Sequence, residues 1–262
     1  MMILALALAA ATSPNLFLER EVLRAADARC ELLLPGARAA LIAGARQAGA
    51  ALQRGGRSFQ EIDALSARAE EVAAGLPCDG ANLREAAARA QNAYAGWAVQ
   101  PSIDFPGRSR IWQARRFKDG QGWRLKQAAG QAVFGVREAQ DRASLTSAAP
   151  PGAWIGATLR LRDSARAPGL RGSATRLAPP ARSSAVAFLA QGRSQEDGIT
   201  YFRFADGAAE KINALHPDEA IEIEFLPRQG AAPLQLLFEA GDFAAALIYL
   251  KASDRASQPD GR

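Results

Sequence analysis

Histidine occurs once in these 262 residues, at His216, and cysteine twice, at Cys30 and Cys78. Three such groups cannot complete a four-ligand zinc shell, and without a C-x-x-C pair a dithiol redox centre is excluded as well. The usual proton shuttle of neutral-pH catalysis is reduced to a single side chain. Signature motifs are equally sparse: there is no G-x-S-x-G elbow, no G-x-x-x-x-G-K-[ST] phosphate loop and no H-E-x-x-H. Gly120-Gln121-Gly122 opens like a dinucleotide fingerprint, but Leu125 stands where the third glycine belongs. No internal apolar run approaches the roughly 20 residues of a membrane span, and no period of roughly 20 to 50 residues is visible. No cofactor and no metal are expected.

What is present is an ordinary globular composition, 48% hydrophobic and 23% charged. It can bury one large core or two small ones. The net charge of +5 is unevenly spread. Residues 1–102 carry 10 basic and 10 acidic groups, residues 103–182 carry 15 and 5, and residues 183–262 carry 7 and 12. One reading is an anion-binding face built from Arg115, Arg116, Arg124, Lys126, Arg160 and Arg162. The simpler one is internal neutralisation, with strands of opposite sign as neighbours in one sheet. Arg160 and Arg162 alternate along one strand pattern and Glu222 and Glu224 along another, each expected on a solvent side.

The chain begins with an apolar run, Met1 to Ala11, which ends in a small-residue pair at Ala9 and Ala11 and is followed at once by Thr12-Ser13-Pro14. That is the pattern of a cleaved signal peptide over 1–11, although no Lys or Arg precedes it. The alternative is a short buried helix of a cytosolic protein. Cys30 lies too far behind the run for a lipid anchor. The expected location is periplasmic or secreted, with no membrane span after signal removal. An oxidising compartment permits a Cys30–Cys78 disulfide, and closing that interval is worth about 4 kcal/mol on a loop-entropy model.

Between 12 and 102 the apolar residues recur at helical spacing. Leu16, Leu23, Ala26 and Cys30 line a first helix, and Leu41, Ala45, Ala48 and Leu52 a second. Ser58-Phe59-Gln60-Glu61 has the form of a capping box before a third helix, with Ile62, Leu65, Ala69 and Val72 on one face. Leu83, Ala87, Ala90, Tyr94 and Trp97 line a fourth, and Trp97 is placed to dock the helices on the second half of the chain. From 103 to 253 the period turns to alternation, the pattern of an antiparallel sheet carrying one or two packed helices. A Pro/Gly/Arg-rich insertion spans 164–182 and a polar, flexible tail 254–262. The fold class expected is α+β: a disulfide-tied N-terminal helical bundle followed by an antiparallel β-sheet domain.

Candidate chemistry is thin. His216-Pro217-Asp218 with Ser183 or Ser184 could compose a triad only if tertiary structure assembled them, and the plain reading is a turn between helix and strand. Glu222 and Glu224 have the spacing for carboxylate chemistry on a strand, but exposed alternating glutamates are the commoner case. The chain therefore reads as an exported bacterial envelope protein, a non-enzymatic module that binds another protein or an anionic surface component. A periplasmic hydrolase using carboxylate or serine chemistry is the first alternative. Anion or nucleic-acid binding through the basic centre is the second; nucleic acid is not expected if the protein is exported.

Overall fold

The computed structural model describes residues 14–98, 100–116, 122–139, 142–167, 177–228 and 230–256. The apolar run 1–11, the turn at 119–121, residues 168–176 of the 164–182 insertion and the end of the tail lie outside those residues. The first part of the chain forms four helices, α1 (Pro14–Cys30), α2 (Pro35–Arg54), α3 (Phe59–Ala74) and α4 (Ala81–Ala98). The capping box forms in full: Ser58 Oγ accepts from the Glu61 N–H, and Glu61 accepts from the Ser58 N–H at 2.8 Å. These bonds, with Arg57 alongside, hold the Glu61 carboxyl down at about 2.

The helices pack through small residues, which brings their axes close but leaves little apolar volume between them. Of the seven buried residues in this cluster, Ala26, Ala37, Ala73 and Ala87 are four, with Leu23, Leu33 and Leu83 the rest. The start of α2 runs against Tyr94, whose ring occupies the space a side chain at Gly36 would need. The disulfide joins Cys30, at the end of α1, to Cys78 in the turn before α4, with Cα atoms 5.5 Å apart. The buried face of α3 runs through Ile62, Ala69 and Ala73, so Val72, expected inside, is 44% exposed.

Eleven strands follow among the described residues, with one α-helix between the ninth and tenth strands and another after the last. They are β1 (Ser102–Pro106), β2 (Ile111–Arg115), β3 (Gly122–Ala129), β4 (Ala132–Ala139), β5 (Arg142–Ala148), β6 (Trp154–Arg162), β7 (Ala185–Leu189), β8 (Gly192–Glu196) and β9 (Ile199–Arg203). Then come α5 (Gly207–Asn213), β10 (Ala220–Pro227), β11 (Leu234–Glu239) and α6 (Phe243–Ala256). One sheet has the order β1-β2-β3-β4-β5-β9-β8 and the other β11-β10-β6-β7. Every strand pairing is antiparallel, so the protein is α+β. No helix of the described residues is long and apolar enough to cross a membrane.

The core lies between the sheets. Phe134 meets Phe238 at 5.5 Å between ring centroids, and Phe202 meets Phe225 at 6.0 Å. Helix α6 covers the β1–β3 end of the same inner face, with Phe243 set 5.0 Å from Trp112. Helix α2 lies along the other side of α6 and contributes Ala43 to this core, so the helices and the sheets share apolar packing. Trp97 docks α4 on α6 through Tyr249, 5.1 Å away. Helix α6 runs to Ala256, past the point where the sequence suggested a loose tail.

Two bulges shift faces that simple alternation would have placed otherwise. Pairing slips between Trp123 and Leu125, so Trp123 sits opposite Arg137 while Leu125 is buried. It slips again opposite Leu226 and Pro227, which leaves Trp154 packed on the core and Ile155 52% exposed.

Candidate anion-binding site

The basic residues expected to form one face are divided among several environments. Arg160 lies directly across from Glu222 on β10 and bonds Glu222 at 3.3 Å and Glu224 at 2.6 Å, with Arg182 at 3.3 Å from Glu222. The opposite-sign strands β6 and β10 are neighbours, and the charges neutralise one another there. Arg162 is a correction: it is 3% exposed, not on a solvent side, and its guanidinium holds Glu219 and the Ala167 carbonyl. A charge taken that far out of water must be paired, and here it is. Arg124, extruded at the bulge, is buried against Glu138 at 2.5 Å. Arg116 stacks 3.9 Å from the Tyr249 ring centroid and 5.3 Å from that of Trp97. These four arginines are committed within the fold, and none presents an open anion site.

Arg115 and Lys126 are different. Residues paired across an antiparallel ladder point to the same side. Gln113 pairs with Lys126, Lys126 with Gly135, Gly135 with Thr146, and Thr146 with Arg203. Arg115 is two residues from Gln113 and Arg137 two from Gly135, so both share that outer face of the seven-stranded sheet. Arg203 is three strand spacings, about 14 Å, from Lys126 along this row.

At the β4-β5-β9-β8 end of this face lies a groove of about 440 Å³, whose lining includes Arg137, Arg142, Arg193 and Arg203 with the Ser144, Thr146 and Ser194 hydroxyls. Glycine at 192 leaves room for Arg203: a Cβ there would come within 3.3 Å of its guanidinium. Arg137 is oriented on two sides, by the Tyr201 ring 4.2 Å from its guanidinium carbon and by Glu196 at 2.5 Å. Trp123 flanks Tyr201 at 6.4 Å. Arg142 is 3.7 Å from Asp206, an exposed pair worth little. Among the described residues no carboxylate lies within ion-pair reach of Arg193 or Arg203. A guanidinium offers up to five N–H donors in a fixed fork; of the hydroxyls, Thr146 donates to the Ser144 carbonyl and Ser144 meets Thr146 at 3.1 Å, which leaves Ser194 as the neutral donor. The arrangement suits bidentate recognition of a phosphate, sulfate or carboxylate.

Sequence reasoning missed Arg137, Arg142, Arg193 and Arg203. Two of them sit in the acidic final third, where charge counting points away from an anion site. Nothing local marks them, because the groove exists only in the pairing of four strands.

The residues considered for hydrolysis stay apart or engaged. Glu224 is held ionised: the Arg160 hydrogen bond lowers its pKa against the cost of burial. His216 lies in the turn between α5 and β10, where burial lowers its pKa and keeps the imidazole neutral near pH 7. Its Nδ1 accepts from the Asp218 N–H, and Phe59 meets the ring edge-on at 5.4 Å. Ser183 and Ser184 lie in a 3-10 turn before β7, and among the described residues no hydrogen bond joins either to His216. Among the described residues no group of three or more His, Cys, Asp or Glu is placed to hold a metal ion.

Fold and site together define an antiparallel α+β protein with an arginine-lined groove on one sheet face. Compared with known proteins, the chain matches no protein-family model, no curated protein and no solved structure.

Proposed function

We propose that the protein is an exported, non-enzymatic binding module whose ligand is an anionic surface component held in the outer-face groove. The observation that carries this reading is Arg203, a guanidinium without a carboxylate partner among the described residues, which shares the outer face with Arg142 and with Ser144 and Thr146 in one groove. Arg115 and Lys126 extend the same charge across the sheet, so a polymer with repeated anionic groups can track along the face beyond the groove. Export is supported by the apolar Met1–Ala11 run and by the disulfide, since such bonds persist in oxidising compartments.

Heparin serves as a sulfated polymer probe. Wild-type protein is expected to bind it at low ionic strength and to lose affinity steeply as salt rises, as released counterions require. R142E/R203E is expected to weaken binding at least about 10-fold and to flatten the salt dependence, because two ionic contacts are gone. R89E, an exposed change on α4, is expected to leave it unaltered. Equal affinity for R142E/R203E and wild type would remove the groove from consideration.

Export is checked separately by the intact mass of protein isolated without reductant from its own cells. The expected mass lacks residues 1–11 and two hydrogens. A full-length chain with free thiols contradicts the export reading.

A further inference from the structure

The outer-face groove sets its charges beside an apolar strip. Along β9, Ile199, Tyr201 and Arg203 alternate onto that face, and on β8 Ser194 pairs with Tyr201 and Glu196 with Ile199. Ile199 is exposed, and the Tyr201 and Trp123 rings are half-buried with their centroids 6.4 Å apart. Arg137 lies over one face of the Tyr201 ring, and Tyr201 still borders the groove. Rings left part-open on an outer sheet face offer a flat apolar surface to whatever the arginines hold.

The positive charge next to this strip is sparse. Glu196 takes Arg137 through both oxygens, at 3.3 and 2.5 Å, so that guanidinium is neutralised. Arg142 shares an exposed pair with Asp206, and Arg203 has no carboxylate partner among the described residues. Lys126 follows about 14 Å further along the row. A polymer with a charge on every link can use few of these contacts at once. Glu196 also works against such a polymer. Its carboxylate is part-exposed, and of about four lone-pair sites Arg137 occupies two. The sites left over accept from neutral hydroxyl donors and repel phosphate.

We propose that the ligand of this groove is an acidic polysaccharide carrying one carboxylate per sugar, a class that rests on the anion-binding reading of the same site. The sugar carboxylate pairs with Arg203 and Arg142, since a guanidinium fork matches a carboxylate. The C–H face of the sugar ring lies on Tyr201, beside Trp123 and Ile199. The sugar hydroxyls donate to Glu196 and exchange hydrogen bonds with Ser194. A saccharide of this kind supplies spaced anions, a flat apolar ring face and hydroxyl donors together. Single-stranded nucleic acid also supplies rings and anions, but it sets a phosphate at every nucleotide and brings that charge against Glu196.

The test titrates the whole protein calorimetrically, at equal ionic strength, with polygalacturonate, polyphosphate and single-stranded DNA. Wild type is expected to bind polygalacturonate at least about 10-fold more tightly than either phosphate polymer. It is also expected to keep part of that affinity at a salt concentration that abolishes the other two, because ring contact releases no counterions. Y201A is expected to weaken polygalacturonate binding about 10-fold, and Y201F, which keeps the ring, to match wild type. Polyphosphate binding by Y201A at low salt is expected to be unchanged, which shows that the variant is folded with its arginines in place. Absence of polygalacturonate binding, equal affinity for the three polymers, tighter binding of DNA, or a Y201A variant equal to wild type on polygalacturonate overturns the saccharide assignment. The groove itself fails by a separate result, heparin binding by R142E/R203E equal to that of wild type.

Discussion

Replacing Cys30 and Cys78 together by serine is expected to destabilise the helical part of the protein by about 4 kcal/mol, on the loop-entropy model for an interval of this length. The bond closes a 48-residue separation. It does so where the apolar core is thinnest, over a cluster in which alanines outnumber leucines. Little hydrophobic free energy is available there to compensate, at about 25 cal/mol per Å² of buried apolar surface. One further link ties the same elements: Arg29, at the end of α1, donates to the Ala73 carbonyl at 2.9 Å and to that of Leu76. The variant should therefore fold at room temperature but lose helical signal at lower urea than the near-ultraviolet signal of Trp112, which sits in the sheet core. Urea titrations of wild type with and without reductant should reproduce the shift. A change smaller than about 1 kcal/mol would mean that the helices owe their order to α6 and not to the bridge.

Glu239→Ala is expected to cost about 4 kcal/mol in global stability, for a different reason. The carboxylate is 1% exposed at the end of β11 and reaches across to the turn between β1 and β2. It accepts three successive backbone N–H groups, from Arg108, Ser109 and Arg110 at 2.5, 3.0 and 3.0 Å, and the Ser109 hydroxyl at 3.1 Å. Such a run of N–H groups is an anion-binding concavity, here filled by the protein's own side chain. Gly107 is required beside it, because a Cβ there would sit 2.8 Å from the carboxylate. Removing the carboxylate leaves donors without partners in a part-buried turn and unfastens one sheet from the other. The backbone of Glu239 stays anchored by Trp112 and Gln127, so the loss belongs to the carboxylate alone. Glu239→Gln should cost about half as much, since one oxygen still accepts. Urea denaturation measures both, and an alanine variant within about 1 kcal/mol of wild type would show that the turn holds itself.

The two predictions differ in how visible their causes are in the chain. The cysteine pair is countable, and the helices around it arise from residues at most four apart, since α-helical hydrogen bonds and face positions are local. The Ser58–Glu61 box is legible for the same reason. Most strand positions from 111 onward can be read from alternation, and the neighbouring of Arg160 with Glu222 from opposite signs on two such patterns. Glu239, by contrast, carries no local sign that it serves a turn some 130 residues earlier.

Local sequence by itself therefore determined the α+β class, the four helices with the Ser58–Glu61 cap of the third, the cysteine pairing and the presence of antiparallel strands. Tertiary structure alone decided the register. It placed β1, β5 and β8, which have weak or polar alternation, into the long sheet, and it put bulges at Trp123 and Ile155 that turn side chains to the other face. It buried Arg162 with Glu219, and it gathered Arg137, Arg142, Arg193 and Arg203 into one groove. A shift of one residue in pairing reverses every side chain of a strand, and pairing is settled by the whole sheet and its core at once. The buried Arg54–Asp242 pair is of the same kind: only the packing of α2 against α6 takes it out of water.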